Sequence, residues 1–164
     1  MKWFSMNEFE CHCGCRMPDS ARAIIVALVE QVLDPVREGY GKPVCVNSGY
    51  RCARHNAAVG GVPNSQHMRG EAADIGPVGL QVTAYGLQEL ERLARIIMAN
   101  GKFDQLILEN VGENDLLPVW VHVSWRRGGP NRGEVLKKVV GKAGYQMLTT
   151  DEICELLGPG FKKM

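Results

Sequence analysis

The chain has 164 residues, of which 45% are hydrophobic, and a formal net charge of +1 at pH 7. This length predicts one domain, residues 1–164, built around a single hydrophobic core. Acidic and basic residues are interspersed along the chain, so neither nucleic acid nor a membrane surface is an expected partner, and a monomer is expected.

The N-terminal stretch MKWFSMNEFECHCGC lacks the apolar segment of about 7–15 residues that a secretory signal needs. No run of about 18 apolar residues predicts a helix that crosses a bilayer. These two features together predict a protein that is made in the cytoplasm.

Six cysteines are present, and three of them, Cys11, Cys13 and Cys15, lie in the segment CHCGC. Without a secretory signal, disulfides are not expected. Zinc-binding cysteines are usually separated by two or more residues and joined by a second, distant pair. The segment is therefore interpreted as reduced thiols near the entrance to the fold, with metal binding through Cys11, His12, Cys13 and Cys15 as the alternative.

Two segments carry apolar residues at helical spacing, which predicts two helices that each bury one face. The first begins after Asp19 or Ser20 and is kinked or ended by Pro35. The second begins at Leu87 and stops at Gly101, because glycine favours the end of a helix.

Short runs rich in β-branched residues predict strands at 42–48, 103–109 and 119–125. Residues 134–164 are predicted to form a helical tail outside a core that spans about residues 7–127. The order of these elements predicts an α+β fold with a small, mostly antiparallel sheet and helices packed on one face.

The segment NSQHMRGEAADI contains two side chains of the kind that bind metals, His67 and Asp74. An extended chain would separate their Cα atoms by roughly 23 Å and a helix by roughly 10 Å, so in neither case could both reach one ion at about 2 Å. The chain must fold back between them. Gly70 permits this because glycine adopts positive φ without penalty.

A catalytic zinc ion usually has three protein ligands, and the predicted strand VWVHVSW offers His122 as the third. Alternation along a strand places Val121 and Val123 toward the core and His122 on the opposite face. His55, in a short polar turn, is the alternative ligand.

The runs VNSGYRCARHNAAVGGVPNSQHMRGEAADI, FDQLILE and WVHVSW resemble the M15 family of zinc D,D-peptidases, most of all its small branch of phage and bacterial cell-wall enzymes. The family signature S-x-H-x-x-G-x-A-x-D is matched at Ser65, His67, Gly70, Ala72 and Asp74. The resemblance covers roughly residues 7–127. It implies the α+β fold of the hedgehog and D,D-peptidase type.

The resemblance also implies a Zn²⁺ ion held by His67, Asp74 and His122. It implies that Arg51, in the turn SGYR, holds a carboxylate or a developing oxyanion of the substrate, and that Ser65 hydrogen-bonds the substrate backbone. The implied substrate is a peptidoglycan stem peptide. The implied reaction is that of a D-Ala-D-Ala carboxypeptidase or of an L-Ala-D-Glu-type endopeptidase.

One position departs from the family pattern. Members carry a Glu or Asp as general base three residues before the last zinc histidine, and here that residue is Val119. A peptidase of this type needs a carboxylate to accept a proton from water. We therefore expect Glu109, at the end of FDQLILE, to act as the base, with Asp104 and Glu113 as alternatives.

Two other classes of function are open from the sequence. The departure at Val119 favours, as the main alternative, a non-catalytic zinc-containing module that binds cell wall. A cysteine enzyme using Cys52 and His55 is a weaker alternative because no third group is evident to orient the histidine. For the peptidase itself, action at the cell wall in the manner of a phage lysin is expected.

Overall fold

A computed structural model of the chain describes residues 1–80 and 83–158. It contains five α-helices: α1 (Asp19–Leu28), α2 (Asp34–Tyr40), α3 (Ala53–Ala58), α4 (Ala84–Asn100) and α5 (Thr150–Leu157). Short 3₁₀ turns lie at Met6–Phe9 and Gln66–Arg69. None of the helices in the described ranges is long and apolar enough to cross a bilayer.

The first predicted helix is interrupted, as expected, near Pro35. A π-helical turn, Val29–Leu33, joins α1 to α2, and Pro35 lies in the first turn of α2. Proline has no backbone N–H, so the carbonyl of Gln31 lacks its usual helical partner. That carbonyl accepts a hydrogen bond of 3.4 Å from the side-chain amide of Asn100 at the end of α4.

Six strands form one sheet: β1 (Val44–Ser48), β2 (Ala72–Pro77), β3 (Gln105–Val111), β4 (Trp120–Ser124), β5 (Glu134–Val139) and β6 (Gln146–Met147). Their spatial order is β1-β2-β4-β3-β5-β6. All neighbours are antiparallel except β3 and β5, which are parallel. Asp74 of β2 lies directly opposite His122 of β4, and Ile107 of β3 lies opposite His122 on its other side.

The two faces of the sheet differ in chemistry. One face is apolar and fully buried, and it includes Ala73, Ile75, Leu106, Leu108, Val121 and Val123. Helix α4 packs against β2, β3 and β4, and α2 packs against α4. The opposite face carries polar side chains that line a cleft. The predicted α+β fold, with helices on one face of a mostly antiparallel sheet, is confirmed.

The prediction of a helical tail over residues 134–164 is wrong for its first part. Residues 134–139 form strand β5, and within the described residues 134–158 only Thr150–Leu157 is helical, while residues 159–164 lie outside the described part of the chain. Gly133 and Gly141, both at positive φ, lie on either side of residues 134–139. The stretch between these two glycines has the length of a typical strand. The edge of β3 supplies the hydrogen-bonding partner that no local pattern could reveal.

Candidate metal centre and catalytic cleft

A tight turn brings His67 and Asp74 together. His67 lies in the 3₁₀ turn Gln66–Arg69, and Gly70 follows it with φ of 74° before β2 begins. A side chain at Gly70 would also collide with helix α1, since an added Cβ would lie 2.6 Å from the carbonyl oxygen of Ala21. The expected fold-back at this glycine is confirmed.

Three ligand-type atoms form a small triangle at the floor of the cleft. Asp74 Oδ1 lies 3.2 Å from His67 Nε2 and 3.0 Å from His122 Nδ1. The two imidazole nitrogens are 3.1 Å apart. All three residues are buried. Burial alone would raise the pKa of Asp74, but the adjacent His67 and His122 outweigh it and lower that pKa.

The triangle has the dimensions of a metal site. Three ligands at about 2.0–2.1 Å from a tetrahedral ion are separated by about 3.3 Å, close to the separations of these atoms. The Gly49 carbonyl accepts a hydrogen bond of 2.7 Å from His67 Nδ1, which orients the ring with Nε2 toward the triangle, as is usual for a histidine that binds a metal.

Arg51 holds the same carboxylate from outside the triangle. Its Nη2 donates to Asp74 Oδ2 and its Nε donates to Ser48 Oγ at 2.8 Å. Its backbone N–H donates to the carbonyl of His67 at 3.2 Å. Arg51 therefore contacts both His67 and Asp74, and besides the substrate role expected of it, it orients the carboxylate of Asp74.

The cleft above the triangle has a volume of about 680 Å³. Arg51, Ser65 and Glu109, each expected to act in the site, all line it. Ser65 is buried and begins the 3₁₀ turn that carries His67.

Glu109 lines the same cleft as the ligand triangle. The backbone N–H of Val119 donates to the carbonyl of Glu109 at 2.8 Å, so the two residues are neighbours across strands. Glu109 is opposite Trp120 in the β3–β4 pairing and is 8% exposed. Burial raises the pKa of Glu109, although the nearby His122 opposes this effect.

The two alternative bases lie elsewhere. Asp104 is fully buried and accepts hydrogen bonds from Arg132 Nη2 at 2.6 Å and Gln66 Nε2 at 3.0 Å. Burial works to raise the pKa of Asp104, but the bonds from Arg132 and Gln66 lower it overall. Glu113 is exposed and pairs with Lys142 at 2.7 Å.

The alternative ligand His55 lies near the CHCGC segment, with its ring centroid 6.0 Å from that of His12. Cys52, its partner in the weaker cysteine-enzyme alternative, receives a hydrogen bond of 3.4 Å from the backbone N–H of His55. The Sγ of Cys52 is surrounded by other thiols. These contacts give no support to a cysteine nucleophile activated by the His55 ring.

Two residues of the cleft were not anticipated from the sequence. Arg126 follows β4 and lines the cleft with an exposed side chain. Tyr145 comes from the segment predicted to be helical, and its pKa is raised by burial and by the adjacent Glu109. No local pattern marks Tyr145, because its place depends on the pairing of β5 and β6.

The buried histidine–aspartate–histidine triangle, in a cleft with an additional carboxylate, is the donor set of a catalytic zinc site. The sequence model described as peptidase M15 matches residues 2–110, and the chain belongs to the peptidase M15 family. The family resemblance identified from the sequence is confirmed. The family match includes His67, Asp74 and Glu109 but ends before His122.

A curated relative is similar over a shorter stretch. The zinc D-Ala-D-Ala carboxypeptidase of Streptomyces albus G is 49% identical over 45 residues, which is 27% of this chain. The matched stretch is 18% of that protein's length, so the chain covers less than a fifth of the relative.

Proposed function

We propose that this protein is a zinc metallopeptidase that removes the terminal residue of a D-Ala-D-Ala stem peptide in bacterial peptidoglycan, with zinc held by His67, Asp74 and His122. The observation that carries the proposal is the ligand triangle, with separations of 3.0–3.2 Å, at the floor of a cleft that Glu109 also lines. The name of the Streptomyces albus G relative supports this substrate class. Action at the cell wall follows from it.

A zinc ion bound by these three residues supplies Lewis-acid activation of water and of the scissile carbonyl. Glu109 accepts the proton of the attacking water and returns it to the leaving amine. Its burial suits this role, because a carboxyl whose pKa is raised toward the working pH can both take and give a proton.

Arg51 orients Asp74 and adds positive charge next to the reacting carbonyl. The guanidinium has five N–H donors, and Nε and Nη2 are used by Ser48 and Asp74. Among the described residues no acceptor takes a hydrogen bond from Nη1, which is therefore the donor proposed for the developing oxyanion. Ser65 is proposed to hydrogen-bond the substrate backbone.

A cation at the cleft favours an exopeptidase over an endopeptidase. The substrate of a carboxypeptidase ends in a carboxylate, which needs a cationic partner. Arg126 lines the cleft, and its guanidinium forms no ion pair with any carboxylate in the part of the chain that the structure describes.

The test is product identification with purified peptidoglycan and with a synthetic stem pentapeptide. We expect the parent protein to release free D-alanine, detected by mass spectrometry, and His122→Ala to release none. New L-alanine C-termini without free D-alanine would instead identify the endopeptidase. A zinc-loaded parent that binds peptidoglycan and releases nothing would establish the binding module.

A further inference from the structure

Four thiols from two distant parts of the chain converge on one point. The Sγ atoms of Cys11, Cys13 and Cys52 all lie within 4.8 Å of one another. Cys13 Sγ is 3.2 Å from Cys11 Sγ and 3.5 Å from Cys52 Sγ. Cys15 Sγ lies 3.0 Å from Cys13 Sγ and 3.6 Å from Cys52 Sγ. Cys52 thus supplies the distant ligand that the CHCGC segment lacks in the sequence.

The separations distinguish between two kinds of cysteine chemistry. A disulfide requires an S–S distance of about 2.05 Å, and all six cysteines are free. Four thiolates at about 2.3 Å from a tetrahedral zinc ion lie about 3.8 Å apart. Four of the six Sγ separations, at 3.0–3.6 Å, lie closer to the second value than to the first.

The backbone around the cluster is arranged as for thiolate ligands. The N–H of Cys52 donates to Cys11 Sγ at 3.4 Å, and the N–H of His55 donates to Cys52 Sγ at 3.4 Å. Such bonds stabilise negative sulfur and fix the orientation of a metal ligand. Gly14, with φ of 75°, turns the chain between Cys13 and Cys15 so that both face the same point.

A nearby cation balances part of the charge. Arg54 Nη2 lies 3.6 Å from Cys15 Sγ. Four thiols that bind a divalent ion release four protons to solvent and leave a site with a net charge of −2. A guanidinium at this distance offsets part of that charge, whereas neutral thiols in a loop would have no need of it.

We propose that Cys11, Cys13, Cys15 and Cys52 bind a second zinc ion, in a closed tetrathiolate site with a structural role. Closed four-cysteine sites are typical of structural zinc, and they leave no open position for a substrate. The inference rests on the thiol geometry and is independent of the reaction proposed above.

The position of the cluster explains what the second ion would stabilise. Cys52 directly follows Arg51, the residue that holds Asp74. The two residues before Arg51 are also anchored. The N–H of Tyr50 donates to the Phe9 carbonyl at 2.8 Å. The carbonyl of Gly49 accepts the hydrogen bond that orients the His67 ring. An ion at the thiols would therefore fasten the N-terminal segment to the loop that positions the catalytic metal ligands.

Metal content and cobalt substitution test the proposal on the full chain. We expect the purified parent to contain two zinc ions by elemental mass spectrometry. After exchange with Co²⁺, it should show intense sulfur-to-cobalt charge-transfer absorption. Cys13→Ser and Cys52→Ser should each lose one ion and that absorption. The matched control Cys154→Ser, which removes an exposed thiol on α5, should keep both.

The two metal sites can be separated experimentally. His122→Ala should lose one zinc ion yet retain the thiolate–cobalt absorption, which shows that the cysteine site does not depend on the catalytic one. A parent that binds one ion and gives no thiolate–cobalt absorption would overturn the proposal, even if the cysteine variants fail to fold. Disulfides found in the native protein by intact mass would overturn it as well. A parent with the thiolate site but no release of D-alanine would contradict the proposed function alone.

Discussion

At the scale of single residues, Asp104 and Glu109 are two buried carboxylates, just before and within β3, whose pKa values shift in opposite directions. Both are buried, but Asp104 is surrounded by donors from Arg132 and Gln66, so its pKa falls. The nearby His122 and Tyr145 lower the pKa of Glu109 by less than burial raises it, so that pKa rises. The first carboxylate is suited to hold the structure together, and the second is suited to exchange protons with a substrate.

Glu109→Gln should retain zinc and native folding while turnover falls by about 10²–10⁴, the usual cost of losing a general acid–base group. Glutamine keeps the size of the side chain and removes the basic oxygen. Steady-state kinetics on the pentapeptide, together with zinc content, measure the effect. Glu113→Gln, at an exposed residue paired with Lys142, is the control and should leave turnover unchanged. A Glu109→Gln protein with turnover within about threefold of the parent would remove Glu109 as the base.

Asp104→Asn should destabilise the fold by about 1–3 kcal/mol at neutral pH, because it removes a buried charge that accepts bonds from Arg132 and Gln66. The folded-state pKa of Asp104 is lowered, so the stabilisation is present above the unfolded pKa of about 3.9. It is lost as the pH falls from that value through the folded pKa. Urea unfolding of parent and variant from pH 7 to pH 2 should show the difference shrinking in acid; a constant difference would contradict this account.

At the scale of elements, the turn between Gln66–Arg69 and β2 carries the site. It must reverse the chain, pass close to α1 and begin a strand with Asp74 facing the cleft. Gly70 serves the first two requirements, since it combines a φ of 74° with a backbone approach to Ala21 that leaves no room for a Cβ.

Gly70→Ala should therefore destabilise the fold by more than the energy of a left-handed backbone alone. Gly41 ends α2 with φ of 75° and nothing within 4 Å of an added Cβ, so Gly41→Ala should cost only the left-handed backbone energy of about 1–2 kcal/mol. Gly70→Ala adds overpacking against α1 of about 1–3 kcal/mol and should also weaken zinc retention. Chemical denaturation and metal content measure the two effects. Equal costs for both variants would show that contact with Ala21 is unimportant.

Features with a local cause could be predicted from the sequence. The helix ending at Gly101, the alternation that separates Val121 from His122, and the reversal at Gly70 each follow from a pattern within a few residues. The strand over residues 134–139 could not be predicted, because it forms only in contact with β3. Tyr145 was missed for the same reason, and the convergence of Cys52 on the CHCGC segment also depends on the completed fold.

At the scale of the whole molecule, the cleft is built by two parts of the chain. The part that matches the peptidase M15 family, residues 2–110, supplies His67, Asp74 and Glu109. The remainder supplies His122 on β4, together with Arg126 and Tyr145 at the rim. The C-terminal segment also contributes Val135, Val139, Leu148 and Leu156 to the core. These residues belong to the same core cluster as residues of the N-terminal part, such as Phe9 and Ile25.

Removal of the catalytic metal should lower the melting temperature of the whole chain, because an ion that binds only the folded state stabilises it by mass action. Free zinc at about 100 times Kd contributes about 2.7 kcal/mol, which corresponds to a shift of roughly 5–10 °C for a domain of this size. Calorimetry with and without a chelator on Cys13→Ser isolates the His67 site from the thiol site. An unchanged melting temperature in that variant would mean that its triangle binds no zinc.

The direct pairing of Asp74 with His122 also has a consequence for how the sheet assembles. If β2 and β4 slipped by one residue relative to each other, the two side chains would no longer lie opposite each other, and the slipped strand would turn its core residues toward the cleft. Such a misaligned chain would have no place for the catalytic ion. Zinc bound as proposed would stabilise only chains with the correct pairing, and retention of the ion would report that β2 and β4 are in register.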